Sequence, residues 1–127
     1  MIILGLNVFH ADTAACIVID GKILAAVEEE RFTRIKHFTG FPKNSIDFCL
    51  KQASVTLDEV DYISVNYNKY YNLKEKLYFA VKNFYTGNFF RKAFFSVKKG
   101  SLNKLFIKHF DLDVSKKFKF IPHHLAH

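Results

Sequence analysis

The chain has 127 residues, half of them apolar, which is enough for one domain with a buried core. It contains no run of 18 apolar residues, which excludes a predicted transmembrane helix, and its apolar start lacks the basic residues and cleavage site of a signal peptide. Cys16 and Cys49 stand in apolar contexts without CxxC spacing. We therefore expect reduced, buried thiols in a cytoplasmic protein.

The net charge of +7 is unevenly distributed along the chain. Residues 1–68 carry 6 Lys and Arg against 9 Asp and Glu, whereas residues 69–127 carry 13 against 3. The second part also holds 10 of the 15 phenylalanines. This asymmetry makes the basic, Phe-rich stretch 69–119 a feature to be explained separately.

The first 28 residues predict a three-stranded antiparallel meander. Apolar runs at residues 1–8 and 14–20 predict two strands, and residues 22–28 return as a third. Between the second and third, Asp20 and Gly21 are typical of a type I′ hairpin turn, which requires a positive φ at both central residues.

The rest of the chain alternates helix and strand patterns. Residues 28–41, here called the charged segment, are polar and end before Pro42, which we expect as the first residue of a helix that runs to about residue 53. Residues 60–66 alternate as a fourth strand, which should lie parallel to an earlier one because a helix precedes it. Residues 70–110 read as helix with breaks near 86–88 and 100–101, and 118–121 as a fifth strand. The predicted fold is α/β, with a mixed five-stranded sheet and the order β-β-β-α-β-α-β.

Three histidines close the sequence. In a helix His123 and His127 stand at i and i+4 on one face, where two imidazoles can bind one metal ion, whereas His124 points away. Zinc sites take three or four protein ligands, so further ligands must come from elsewhere in this chain, or the chain stops before its chemistry is complete. We expect that the chain stops before its chemistry is complete. The bland alternative is a polar helix start with exposed imidazoles.

The motifs together resemble the start of the O-carbamoyltransferase family, which includes the nodulation-factor and antibiotic carbamoyltransferases. The segments that carry the resemblance are 4–7, 9–16, 20–22, 27–37, 40–42 and 123–127. The resemblance covers about residues 1–66 and 117–127, and the middle of the chain matches only in general character.

The resemblance implies a fold and a reaction. The fold would be the first, ribonuclease-H-like half of an actin-like domain, similar to that of the proteins that synthesise threonylcarbamoyladenosine in tRNA. The family makes carbamoyl-adenylate from carbamoyl phosphate and ATP in a C-terminal YrdC-type domain, then transfers the carbamoyl group to an acceptor hydroxyl of a sugar or natural product, with a metal, favoured to be iron, nearby. We expect residues 1–127 to be the N-terminal part of such an enzyme, lacking the second half and the YrdC-type domain, and to be inactive alone.

The resemblance also assigns candidate roles. His10 matches the proposed catalytic base, and a near-neutral imidazole suits proton uptake from a hydroxyl. Asp12 is a second catalytic candidate; the family places its acid directly after the histidine, whereas here Ala11 intervenes, and a turn cap accounts for Asp12 equally well. His123 and His127 match metal-ligand positions.

The charged segment would hold an anionic substrate. Its candidates are Arg31, Arg34, Lys36 and His37, since guanidinium forks suit phosphate oxygens. The ordinary interpretation of such a run is a solvated loop.

Two other functions stay open. The basic stretch 69–119 is compatible with a domain that binds nucleic acid or an anionic surface, although its apolar residues recur at helical spacing (Leu77, Val81, Phe84, Phe90 and Phe94), which favours packing. A metal-dependent sugar kinase or ATPase relative without carbamoyl chemistry is the second.

Overall fold

The structure is a computed structural model that describes residues 1–9, 12–66 and 102–121. The chain divides into two compact units, residues 1–68 with 114–127 and residues 69–113. No helix in the described residues is long and apolar enough to cross a membrane. The apolar stripe predicted between residues 77 and 94 lies outside the described residues.

The first unit is built on a mixed five-stranded sheet in the order β3-β2-β1-β4-β5. The strands are β1 (Ile2–Asn7), β2 (Ala14–Ile19), β3 (Lys22–Glu28), β4 (Tyr62–Val65) and β5 (Phe118–Phe120). β1, β2 and β3 are antiparallel, whereas β4 pairs parallel with both β1 and β5. The meander, the parallel fourth strand and the mixed α/β sheet are thus confirmed.

The hairpin between β2 and β3 turns at Asp20 and Gly21. Their φ angles of 49° and 80° are both positive, as the predicted turn type requires. The Asp20 carboxylate also accepts a 2.6 Å hydrogen bond from the N-terminal ammonium group of Met1, an exposed ion pair that ties the start of β1 to this turn.

One face of the sheet carries the core. Alternate residues of the strands point to this face and are buried: Leu4, Leu6, Ala15, Ile17, Ile63 and Val65. Helix α2 (Lys43–Ala53) packs on β2 and β3, and its Ile46 and Cys49 are fully buried. The Cys49 thiol donates to the carbonyl of Ala15 at 3.5 Å, and neither cysteine forms a disulfide. The burial expected of both cysteines is thus confirmed for Cys49, whereas Cys16 is only half-buried.

A buried carboxylate joins the end of β3 to the start of α2. Glu29 is only 2% exposed and accepts four hydrogen bonds, from the backbone N–H and side-chain amide of Asn44 and from the backbone N–H and hydroxyl of Ser45, at 2.7–3.1 Å. The first turn of a helix has no internal acceptors for its N–H groups and carries partial positive charge. We call this arrangement the Glu29 anchor.

The charged segment contains a short helix that the sequence analysis did not predict. Helix α1 (Glu30–Thr33) starts directly after Glu29, and the ring of Phe32 lies 5.8 Å from that of Phe48 on α2. Four residues are too few for a helical periodicity, so the pattern showed only a polar loop. Pro42 precedes α2 rather than beginning it.

The described part of the second unit is helix α3 (Leu102–Phe110) with the three residues after it. Phe106 is fully buried, and its ring lies 5.7 Å from that of Phe110. Lys104 and Lys108 are exposed, which gives α3 the amphipathic character of a packed helix.

Replacing the buried anchor tests its contribution. We expect Glu29→Gln to lower the free energy of unfolding by about 2 kcal/mol, because the amide cannot accept all four hydrogen bonds and donors at the α2 N-terminus lose their partners. Urea denaturation of the variant measures this. Asp58→Asn, at an exposed carboxylate, is the control and should stay within about 0.5 kcal/mol of the wild type. Equal effects of the two substitutions would contradict a structural role for Glu29.

Candidate functional site

A cleft of about 640 Å³ opens on the face of the sheet opposite the one that α2 covers. Its floor is formed by small residues from four adjacent strands: Gly5, Ala14, Cys16, Ala26 and Ser64. Cross-strand pairing places Gly5 beside both Cys16 and Ser64. A Cβ atom on Gly5 would lie 2.6 Å from the Cys16 sulfur, so only glycine fits there unless Cys16 moves. Small side chains thus make the depression.

Polar side chains line the cleft where the parallel strands β1 and β4 end. Asn66 donates from Nδ2 to Oδ1 of Asn7 at 2.5 Å, and Asn7 donates to the backbone carbonyl of Asp12 at 2.9 Å. Glu28 and Arg31 complete the polar lining. In open α/β sheets, ligands bind outside the carboxyl ends of the strands, which is where these side chains lie.

The loop between β1 and β2 is bonded to the end of the charged segment. The backbone N–H of Thr13 donates to the carbonyl of Phe38, that of Phe9 donates to the carbonyl of Gly40, and that of Gly40 donates to the Thr13 hydroxyl, at 3.2–3.3 Å. Thr13 is also 1% exposed, and its carbonyl accepts the N–H of Glu29 at 2.8 Å. The loop and the charged segment therefore form one hydrogen-bonded assembly.

Asp12 and His37, predicted for different roles, lie in contact. The His37 Nδ1 atom is 2.9 Å from an Asp12 carboxylate oxygen, and both side chains are more than half exposed. The backbone N–H of His37 donates to the Glu30 carboxylate at 3.2 Å. The hydrogen bond to Asp12, then the charges of Asp12 and Glu30, raise the pKa of His37 above its usual value.

Strained backbone accompanies this contact. Phe9, Asp12, Arg34 and His37 all have φ between 54° and 62°, in the left-handed region that residues with a Cβ rarely occupy. Such strain persists only where surrounding interactions impose it, and it concentrates at functional sites. Arg34 adopts this conformation as the C-cap of α1, whereas Phe9, Asp12 and His37 lie in two mutually bonded segments and mark this place as a candidate site.

The other predicted anion-binding residues are exposed. Arg31 lines the cleft, whereas Arg34 and Lys36 stand on the turn that leads to His37. None of the three forms an ion pair within the described residues. Among the described residues, His37 is therefore paired with a carboxylate, whereas Arg31, Arg34 and Lys36 are not.

His10, His123 and His127 lie outside the described residues, so their predicted roles stay predictions. Within the described ranges, no group of three or more His, Cys, Asp or Glu side chains could hold a metal ion. The donor chemistry of two imidazoles suits iron or zinc, and it is this chemistry on which a metal proposal rests.

Asn7, Asn66 and Glu29 were not among the predicted site residues. The two asparagines stand directly at the ends of predicted strands, a position that could have marked them as groups at a sheet edge. Glu29 stands between two other glutamates, and nothing in the sequence distinguished the buried one.

Comparison with known proteins decides the family. A profile of the carbamoyltransferase N-terminus family matches residues 2–127. The chain belongs to this family. The nodulation protein NolNO of Sinorhizobium fredii is 34% identical over 95% of the chain, and an uncharacterized protein of Methanocaldococcus jannaschii is 33% identical over 98%.

This carbamoyltransferase N-terminal chain spans a small part of its relatives. It covers 17% of NolNO and 18% of the Methanocaldococcus protein. An uncharacterized Synechocystis protein is 54% identical over 48% of the chain, which amounts to 10% of that protein. The profile match and the similarity to NolNO show the family that the motifs indicated.

Thiol labelling tests the geometry of the cleft. We expect iodoacetamide to modify Cys16 before Cys49 at pH 8, because Cys16 lines the cleft whereas Cys49 has no exposed surface. Burial raises the pKa of both thiols, that of Cys49 to about 11. Mass spectrometry of peptides from partly labelled protein measures the order. In urea both thiols should react alike, and faster labelling of Cys49 in the native protein would contradict the structure.

Proposed function

We propose that this chain is the N-terminal part of an O-carbamoyltransferase. In the full-length protein it would bind carbamoyl-adenylate, made from carbamoyl phosphate and ATP by a YrdC-type domain, and transfer the carbamoyl group directly to a hydroxyl of a sugar or natural product. We assign the sheet to the ribonuclease-H-like half of an actin-type domain, and the enzyme to the cytoplasm.

The observation that carries this proposal is the position of Arg31. The motif that resembles the family contains Arg31, and in the structure the same residue lines the cleft beside Glu28 and the two asparagines at the strand ends. A guanidinium group donates paired hydrogen bonds to phosphate oxygens, and a phosphate group links the carbamoyl group to the nucleotide in carbamoyl-adenylate. Arg34 and Lys36 would add positive charge nearby and attract the anionic donor.

The transfer itself requires one proton acceptor. The acceptor's hydroxyl oxygen attacks the carbamoyl carbon and forms a new C–O bond, while the bond from that carbon to the phosphate oxygen breaks and AMP leaves with the electron pair. The hydroxyl proton passes to a base, for which His10 is the candidate. Asp12, the second catalytic candidate, follows His10 by two residues in the sequence, but its carboxylate contacts His37 at 2.9 Å, so we assign it no proton transfer.

His123 and His127 would hold a divalent metal, favoured to be iron by the family resemblance. Two imidazoles at i and i+4 can share one ion, and further ligands would come from the rest of the full-length protein. A bound metal would supply positive charge that polarises an oxygen of the substrate.

An assay of the full-length protein tests this function. We expect carbamoyl transfer from radiolabelled carbamoyl phosphate to a hydroxyl acceptor, found among a panel of sugars, and strictly dependent on ATP. ATP hydrolysis that needs no carbamoyl phosphate would instead favour a kinase or ATPase relative. Salt-sensitive binding of oligonucleotides without any transfer would favour a nucleic-acid-binding domain.

Removing the cleft guanidinium gives a residue-level prediction. We expect Arg31→Gln to lower kcat/KM for transfer about 10- to 100-fold, because a charge-assisted hydrogen bond to the donor phosphate is lost. Lys51→Gln is the matched control, since it removes an exposed cation from α2, which packs on the opposite face of the sheet. If both variants retain wild-type kcat/KM, Arg31 does not contact the donor.

A further inference from the structure

The Asp12–His37 contact joins two segments that the proposed transfer needs together. Asp12 belongs to the loop that contains His10 in the sequence, and His37 ends the run that contains Arg31, Arg34 and Lys36. The 2.9 Å contact between His37 Nδ1 and Asp12 is the only hydrogen bond between side chains that links these two segments within the described residues. It stands beside the three hydrogen bonds made by Phe9, Thr13 and Gly40.

The charges around His37 argue against its predicted role as an anion contact. Asp12 faces the ring from the loop between β1 and β2, and Glu30 accepts the backbone N–H of His37 from α1. Arg34 and Lys36 are the charged neighbours within its own segment. The Asp12 carboxylate at the imidazole and the Glu30 carboxylate at the His37 backbone leave little net attraction for a phosphate oxygen. Arg31, Arg34 and Lys36 form no ion pair among the residues that the structure describes.

The backbone at both ends of the contact is held in a costly conformation. Asp12 has φ 62° and His37 has φ 54°. A residue with a Cβ atom in this left-handed region raises the free energy of the folded state by at least about as much as a weak hydrogen bond lowers it. Relaxation of either residue to an ordinary conformation would redirect its side chain and separate the two groups. The hydrogen bond therefore holds both residues in the strained conformation, and that conformation keeps their side chains in contact. Together they fix the distance between the two segments.

We propose that Asp12 and His37 are positioning residues that act as a pair, setting the spacing between the loop after β1 and the cationic run 31–36. The proposal rests on the proposed carbamoyl transfer. Neither residue then needs to touch the substrate: Asp12 acts through His37, and His37 acts through the loop it holds. An error of about 1 Å between a base and an anion-binding group can cost about 100-fold in rate, so even an exposed ion pair of modest stability can matter here.

The pair should give the reaction a pH signature. Because Asp12 raises the pKa of His37, the imidazole keeps its proton to a higher pH than an isolated histidine does. The ion pair is fully formed below the ordinary pKa of histidine and weakens as the pH rises through the raised value. In the wild type, kcat/KM should therefore decline on the alkaline side of its pH profile as the ion pair weakens. Asp12→Asn lacks the carboxylate that raises the pKa of His37, so this alkaline decline should move to lower pH, and His37→Gln should abolish it.

A double-mutant cycle in the full-length protein tests the pairing. We expect Asp12→Asn and His37→Gln each to lower kcat/KM for transfer about tenfold, and the double variant to lose no more than either single one. Asp20→Asn is the matched control, because it removes the exposed ion pair with the Met1 ammonium group, at the opposite end of β1, and should leave kcat/KM unchanged. If the two single losses multiply, so that the double variant loses about 100-fold in kcat/KM, the pairing is overturned. An alkaline decline of kcat/KM that stays at the wild-type pH in Asp12→Asn would overturn it as well.

A second readout does not depend on activity. Nitrogen-15 NMR of labelled histidines in the full-length protein follows the His37 titration directly, and we expect its midpoint to fall in Asp12→Asn and to stay unchanged in Asp20→Asn. If the wild type transfers no carbamoyl group while this midpoint falls, the proposed function fails and the pair survives as a structural link. If the midpoint does not fall, the pair itself is refuted, whatever the activity.

Discussion

The buried carboxylate of Glu29 is the interaction on which the site depends. It sits at the junction of β3, α1 and α2, and accepts four hydrogen bonds from Asn44 and Ser45 at the helix start. Burying a charge is costly unless it is fully paired, and the α2 N-terminus provides the donors and the favourable dipole together. The N–H of Glu29 also binds the Thr13 carbonyl, so one residue ties the helix, the charged segment and the loop after β1.

The two faces of the sheet carry different kinds of side chain. One face carries the large apolar residues and α2, and the other carries glycine, alanine, cysteine and serine over the cleft. The same period-2 alternation along β1 and β2 produces both, since neighbouring residues of a strand point to opposite faces. The core packs on one side, and the other side carries the cleft to which we assign the proposed donor, beside Arg31 and the two asparagines.

Alternation and turn chemistry predicted the strands well, because a strand buried on one face repeats every second residue and Asp20-Gly21 suits only a few turns. They did not predict α1, which is too short to show a period. Nor could they separate Glu29 from Glu28 and Glu30, since burial of one carboxylate depends on a helix that begins 14 residues later. The motif resemblance named residues in the loop after β1 and in the charged segment, and only the three-dimensional structure pairs Asp12 with His37 and places Arg31 at the cleft.

The most direct measurement of the central claim is a crystal structure of the full-length protein with AMP, the leaving group of the proposed transfer. We expect AMP in the cleft of the first unit, with a phosphate oxygen within hydrogen-bond distance of the Arg31 guanidinium and the Asp12–His37 contact intact. A nucleotide bound with its phosphate remote from Arg31, while that side chain points into solvent, would contradict it.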